Sequence, residues 1–162
     1  RGFGNVVKVV VEFNKPIWKT GTAFIFSDTD IPTWWTQFPL TAFTLTGWAG
    51  GPMADRIANN SDTKLSEIAL DSLSHIFEQP AAELQKQIVG LHVYNWKEYA
   101  ESKGAYSYAT TASEIARQTL NTPLDNTIFF AGEGLYDGQY SGTVEAALNR
   151  AKKAAQEILS VE

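Results

Sequence analysis

Cysteine is absent from the 162-residue chain. That removes disulfides, thiolate nucleophiles, Cys-ligated zinc and any cysteinyl link to a cofactor. It is compatible with the cytosol, and a cytoplasmic location is the expectation. No apolar run is long enough to span a bilayer. Basic charge is neither dominant nor clustered: 13 Lys and Arg stand interspersed among 18 Asp and Glu, for a formal net charge of −5. Without a basic patch there is no footprint for a phosphate backbone or an anionic membrane, so neither partner is expected. The two histidines, His75 and His92, lie far apart without Asp or Glu at ligand spacing, so no metal site is expected. Also missing are the Gly-x-Gly-x-x-Gly nucleotide fingerprint, a Walker loop and a Gly-x-Ser-x-Gly nucleophile elbow. An initiating Met is lacking too. Arg1-Gly2-Phe3-Gly4-Asn5 has no signal-peptide pattern and runs almost directly into a strand, so a cut within a longer protein is the reading. A processed N-terminus would look similar.

Large side chains, by contrast, are plentiful. Five Trp, six Tyr and nine Phe accompany 44% hydrophobic and 19% charged residues, enough for a packed core and for an aromatic-lined pocket. The β-branched run over residues 6–13 predicts a well-buried strand, stopped by Asn14-Lys15-Pro16. Residues 22–26 and 41–49 predict further strands, the latter ending at the breaker cluster Gly50-Gly51-Pro52. The stretch 31–39, with two Pro and two Trp, is expected to be a loop. Ser61-Asp62 offers cap oxygens to a helix through Leu65, Ile68, Ala69, Leu73, Ile76 and Phe77, ending at Pro80. A short helix over 81–86, a strand over 87–96 and a helix over 112–120 follow. Residues 127–131 predict a short apolar strand entering the turn Gly132-Glu133-Gly134. A last helix begins near Ser141-Gly142-Thr143, with Val144, Ala147, Leu148, Ala151, Ala154 and Ile158 as its buried stripe. Trp34, Trp35 and Trp48 could line a sugar-binding face, but scattered tryptophans more often fill cores.

The strand–turn–helix at the end carries the most chemistry. Glycines admit a ligand close to backbone, and the free amides of a first helical turn attract anionic or electron-rich oxygens. Ser141, Gly142 and Thr143 are small enough not to block the approach, and Glu133 could accept from ligand hydroxyls. An ordinary surface turn with helix capping would carry the same residues.

Three blocks then resemble one family. Ile128-Phe129-Phe130-Ala131-Gly132-Glu133, followed by Tyr140-Ser141-Gly142-Thr143-Val144-Glu145-Ala146-Ala147, is similar to the C-terminal FAD motif of flavin-containing amine oxidases. Gly4-Asn5-Val6-Val7-Lys8-Val9 with Phe13-Asn14-Lys15-Pro16-Ile17-Trp18 resembles the family's lysine-bearing strand and the motif after it. Tyr94-Asn95-Trp96 with Gly104-Ala105-Tyr106-Ser107 is the third. The blocks fall in the family's order and cover nearly the whole chain.

The resemblance implies roles. Lys8 falls on the lysine that holds a water near flavin N5, where the alternative is a charged strand-edge residue. Trp96 and Tyr106 fall on aromatics beside the flavin ring, Tyr106 as one wall of the cage flanking the substrate amine; as an alternative, both are core aromatics. Gly132 belongs to the cofactor-facing turn, and Glu133 matches the acid near the ribose and pyrophosphate. Ser141 lies just before the amides of Gly142, Thr143 and Val144, which match those facing the flavin's pyrimidine edge. Two positions depart from the pattern. Thr143 replaces the second cage aromatic, and Ala105 stands where some members bond the flavin covalently, so FAD is expected to be non-covalent.

The resulting expectation is an α+β chain: a partial substrate-binding domain with a mixed sheet flanked by helices over residues 1–95, then a segment over 96–162 returning to an FAD-binding domain. Its partners would be a small amine-like substrate and the missing N-terminal FAD-binding part of the same protein, with self-association of the isolated chain possible. The implied function is oxidation of an amine or amino acid by hydride transfer to flavin, with oxygen as acceptor. The chain alone would be inactive and would not retain FAD. The alternatives are a related flavin desaturase or porphyrinogen-oxidase-like enzyme, and a non-catalytic binding module that retained the fold.

Overall fold

A computed structural model describes residues Gly2 to Val161; Arg1, where the sequence suggests a cut, and Glu162 lie outside them. The chain is mixed α+β and divides into two compact units. The larger is Asn5–Gly104; the smaller combines the residues before it with those from Ala105 onward.

The larger unit is built on a five-stranded antiparallel sheet in the order β3-β4-β5-β2-β6. Its strands are β2 (Val6–Phe13), β3 (Phe24–Phe26), β4 (Thr33–Trp35), β5 (Thr44–Gly50) and β6 (Ile88–Asn95). Side chains alternate between the faces of a strand, and β2 shows the alternation cleanly. Val7, Val9, Val11 and Phe13 are buried, while Lys8 and Glu12 point the other way. The buried face packs on α1 (Pro52–Ile57), α2 (Asp62–Phe77) and α3 (Ala81–Gln85) through Leu45, Ala49, Ala54, Ile57, Leu65, Ala69, Leu73 and Leu84. Leu65, Ala69 and Leu73 recur every four residues, so one stripe of α2 meets the sheet. The helix starts where Ser61 Oγ accepts from Lys64 N at 3.3 Å. It ends at Glu78 in the left-handed region, shortly before Pro80.

One expectation fails here. Residues 33–35 form β4 rather than a loop, paired on both sides. Pro32 stands just outside the ladder, and Trp34 gains full burial with its Nε1 donating to Ile31 O at 2.9 Å. The glycine–proline cluster ends β5 but also opens α1, because Pro is well suited to the first turn of a helix.

Gly47 lies opposite Trp34 on the buried face. A Cβ there would come within 2.7 Å of the indole ring, too close for a carbon–carbon contact. Gly47→Ala is expected to destabilise the protein by about 1–3 kcal/mol through overpacking. A urea midpoint that does not move would contradict this.

The smaller unit holds a two-stranded antiparallel sheet of β1 (Gly2–Phe3) and β7 (Ser107–Tyr108). It also contains α4 (Ser113–Asn121), a short 3-10 turn (Glu133–Leu135) and α5 (Val144–Leu159). Residues 127–131 do not form the expected strand. Asp125 and Asn126 take left-handed conformations, and the chain folds back in a single bridge between Leu124 and Ile128. A strand needs a ladder partner for its amides and carbonyls, and among the described residues Phe129–Ala131 has none.

The buried face of α5 also differs from expectation. Ala146, Arg150 and Ala154 are buried, whereas Val144, Leu148 and Ile158 of the apolar stripe are exposed. Arg150, only 3% exposed, earns its place through hydrogen bonds: Nε donates to Asn121 Oδ1 at 2.8 Å, and the guanidinium pairs with Glu157 at 3.2 Å. Asn121 Nδ2 in turn donates to Leu135 O at 3.1 Å, tying α4, α5 and the 3-10 turn together. Among the described residues Ala146 and Ala154 are the only fully buried apolar side chains of this unit.

Candidate functional site

The candidate residues fall into two groups, one in each unit. In the larger unit, direct partners across an antiparallel ladder project to the same face. Lys8 is opposite Trp48 on one side and Tyr94 on the other, and Trp48 is opposite Thr33. The next row on that face joins Phe24, Trp35, Thr46, Val10 and His92. The sheet therefore turns away from its core a surface rich in aromatic rings, with one amine among them. Lys8 Nζ stands 5.8 Å from the centroid of the Trp35 ring, within reach of a cation–π attraction worth about 0.5–1 kcal/mol at such a site. Phe24 and Phe26 lie on the edge strand with parallel rings 6.1 Å apart. Trp96 follows β6, donates its backbone amide to Val6 O at 3.1 Å and leans on Tyr99 at 5.5 Å. It is half-exposed rather than a core aromatic.

In the smaller unit the structure brings Glu133 and Gly142 together and adds Ser107. Glu133 Oε1 accepts from Ser107 N at 2.8 Å; Oε2 accepts from Ser107 Oγ and from Gly142 N, both at 2.9 Å. Gly132 (φ 133) and Gly142 (φ 85) adopt backbone conformations that favour glycine, with open space at Gly132 where a side chain would begin. Thr143 is the N-cap of α5: its hydroxyl accepts from Ala146 N at 3.2 Å and donates to Tyr140 O at 2.7 Å. The amides of Val144 and Glu145 have no acceptor within the chain among the described residues. Ser141 is exposed beside them. Tyr106 accepts from Gly4 N through its carbonyl at 2.9 Å, and its ring is substantially exposed.

Tyr94 and Ser107 carry no assigned site role in the sequence, and Trp35 and Trp48 are weighed there only as part of a sugar-binding face. Tyr94, Trp35 and Trp48 all join Lys8 through the strand register. Ser107 sat in plain view as the last residue of the third motif block. His75 Nε2 lies 3.6 Å from Asp28 Oδ1, both on the surface. Among the described residues no group of three or more His, Cys, Asp or Glu is placed to hold a metal ion. No helix among them is long and apolar enough to cross a membrane.

The family model for flavin containing amine oxidoreductases matches residues 1–159. The chain belongs to that family. No curated protein gives a significant match. Among solved structures, cyclohexylamine oxidase from Brevibacterium oxydans IH-35A superposes with a TM-score of 0.74 at 24% sequence identity. The match covers 96% of this chain and 35% of that enzyme, so the chain spans about a third of its structural neighbour and shares its fold over that part.

Membership of the flavin-containing amine oxidoreductases implies a flavin, and the residues present fit one. A side chain at Gly132 would meet nothing within 4 Å, and two unpaired amides lie in the first turn of α5. A helix N-terminus carries partial positive charge, which suits an electron-rich ring edge or a phosphate.

Proposed function

We propose that this chain is the substrate-facing and C-terminal portion of an FAD-dependent enzyme that oxidises an amine or amino acid. The observation that carries the reading is the aromatic sheet face around Lys8. Aromatic π-faces accept an amine in its cationic and its neutral form alike, while excluding the water that would compete for it. On this reading Lys8 holds a water beside the flavin, Trp96 and Tyr106 flank the ring, and Gly132, Ser141, Gly142, Thr143 and Val144 approach the cofactor through backbone. A bound flavin would supply the redox chemistry, uptake of a hydride from the carbon bearing the amine and return of two electrons to oxygen. The protein's own task is to position the substrate, exclude solvent and place positive potential where negative charge develops.

Ala105 offers no sulfur for a covalent link, so FAD is held non-covalently. Thr143 spends its hydroxyl on capping α5 and offers no aromatic wall opposite Tyr106. That favours a substrate other than a simple monoamine. The larger unit serves as the substrate domain and the smaller as the returning part of the FAD domain, completed by a nucleotide-gripping part of the same protein. The shortage of core in the smaller unit supports this. Tyr140, Val144, Leu148, Ile158 and Leu159 are exposed there, and apolar surface on that scale calls for a covering partner. Such a surface also makes self-association of the isolated chain an expected side effect.

The test is the visible spectrum of the full-length gene product, recorded anaerobically before and after addition of amines and amino acids. A bound-flavin spectrum that bleaches with one of them identifies the substrate class. Flavin that never bleaches points to desaturase-like chemistry, and protein that takes up no flavin on reconstitution defeats the enzyme reading.

A further inference from the structure

We infer that Glu133 is a positioning residue, a carboxylate clasp that presets the cofactor-facing turn by binding the chain's own amides rather than the cofactor. Resting on the flavin reading above, it reassigns Glu133 from ligand to support. The geometry that carries it is the three-donor arrangement on one carboxylate. Ser107 N and Oγ approach from β7, and Gly142 N approaches from the residue before the N-cap of α5, all at 2.8–2.9 Å. An ionised carboxylate has about four acceptor positions; three are committed within the chain.

The three residues are 26 and 9 positions apart, so the clasp joins segments that no local structure would hold together. Gly142, at φ 85, points its amide back to Glu133 in a conformation that other residues adopt at a cost. Downstream, Thr143 closes the cap and leaves the Val144 and Glu145 amides free. Glu133 thus fixes where the first turn of α5 presents its unpaired N–H groups. Hydrogen bonds to a charged acceptor are stronger than those between neutral groups, and the smaller unit buries little else to hold this turn.

The experiment uses the full-length protein, with flavin and after its removal. Amide hydrogen exchange at Ser107 and Gly142 is measured in the flavin-free form, and flavin affinity and visible spectrum after reconstitution. Glu133→Ala should speed exchange at both amides and weaken flavin binding by about 10- to 100-fold, the equivalent of one charged hydrogen bond, with a shifted visible band. Glu133→Gln, which keeps one acceptor oxygen, should recover part of both effects. Ser107→Ala should keep Gly142 slow to exchange. It carries the argument if Glu133→Ala fails to fold, together with Glu133→Gln. Weaker flavin binding with exchange in the flavin-free form unchanged would overturn the inference, because Glu133 would then touch the cofactor itself. Faster exchange with flavin affinity and spectrum unchanged would overturn it too, leaving a local brace without influence on the site. Wild-type protein that binds no flavin removes the parent reading, and is recognised before any variant is compared.

Discussion

Lys8→Met in the full-length protein is expected to slow reoxidation of the reduced flavin by oxygen about 100-fold, the typical loss when one preorganised charge or donor is removed from a reacting centre. Met keeps the apolar stem, so the strand and its pairing with Trp48 and Tyr94 are retained. What disappears is the ammonium that β2 presents among the rings of Trp35, Trp48 and Tyr94. Stopped-flow mixing of reduced enzyme with oxygenated buffer reads the effect directly, separate from substrate oxidation. A change below about threefold, within the reach of a single neutral hydrogen bond, would return Lys8 to the role of a strand residue held over Trp35.

The largest expected effect on stability is at Trp34. The indole is fully buried, lies over Gly47 and donates to Ile31 O. Trp34→Ala removes the largest buried side chain of the sheet's core face and one of the two donors to Ile31 O, leaving only the Thr29 hydroxyl. A loss of about 3–5 kcal/mol is expected, against a total stability of about 5–15 kcal/mol for a typical domain. Urea unfolding followed by far-ultraviolet circular dichroism measures it. The double variant with Gly47→Ala is the sharper check. In the Trp34→Ala background the alanine at 47 enters vacated space, so its overpacking penalty should vanish and the two changes should be non-additive. Additive losses would mean that the Trp34–Gly47 contact is not what makes Gly47 intolerant.

The reading of the sequence succeeded where one physical signal dominated. A run of β-branched residues yields β2, and apolar residues at four-residue spacing (Leu65, Ala69, Leu73) yield α2, because each pattern suits a single backbone conformation. It failed where pairing decided. Thr33–Trp35 is three residues between Pro32 and the turn at Phe38-Pro39, and it is a strand only because β3 and β5 flank it. Residues 127–131 carry strand propensity and stay unpaired, since propensity is realised only when a ladder offers partners. On α5 the apolar stripe pointed to burial, yet the buried face centres on Arg150, whose burial depends on Asn121 and Glu157 being in reach.

Sequence alone determined the chemistry available: a lysine on a strand, aromatics in quantity, a glycine-rich approach to a helix and no sulfur for a covalent flavin. It also carried the family, because the three motif blocks stand in order along the chain. Only the tertiary structure decided that Lys8 lies among Trp35, Trp48 and Tyr94, and that Glu133 closes on Ser107 and Gly142. The reason is geometric. Helix and strand periodicities are written in neighbouring residues, but strand register and a clasp between distant segments depend on where the chain returns in space, and no local pattern encodes that.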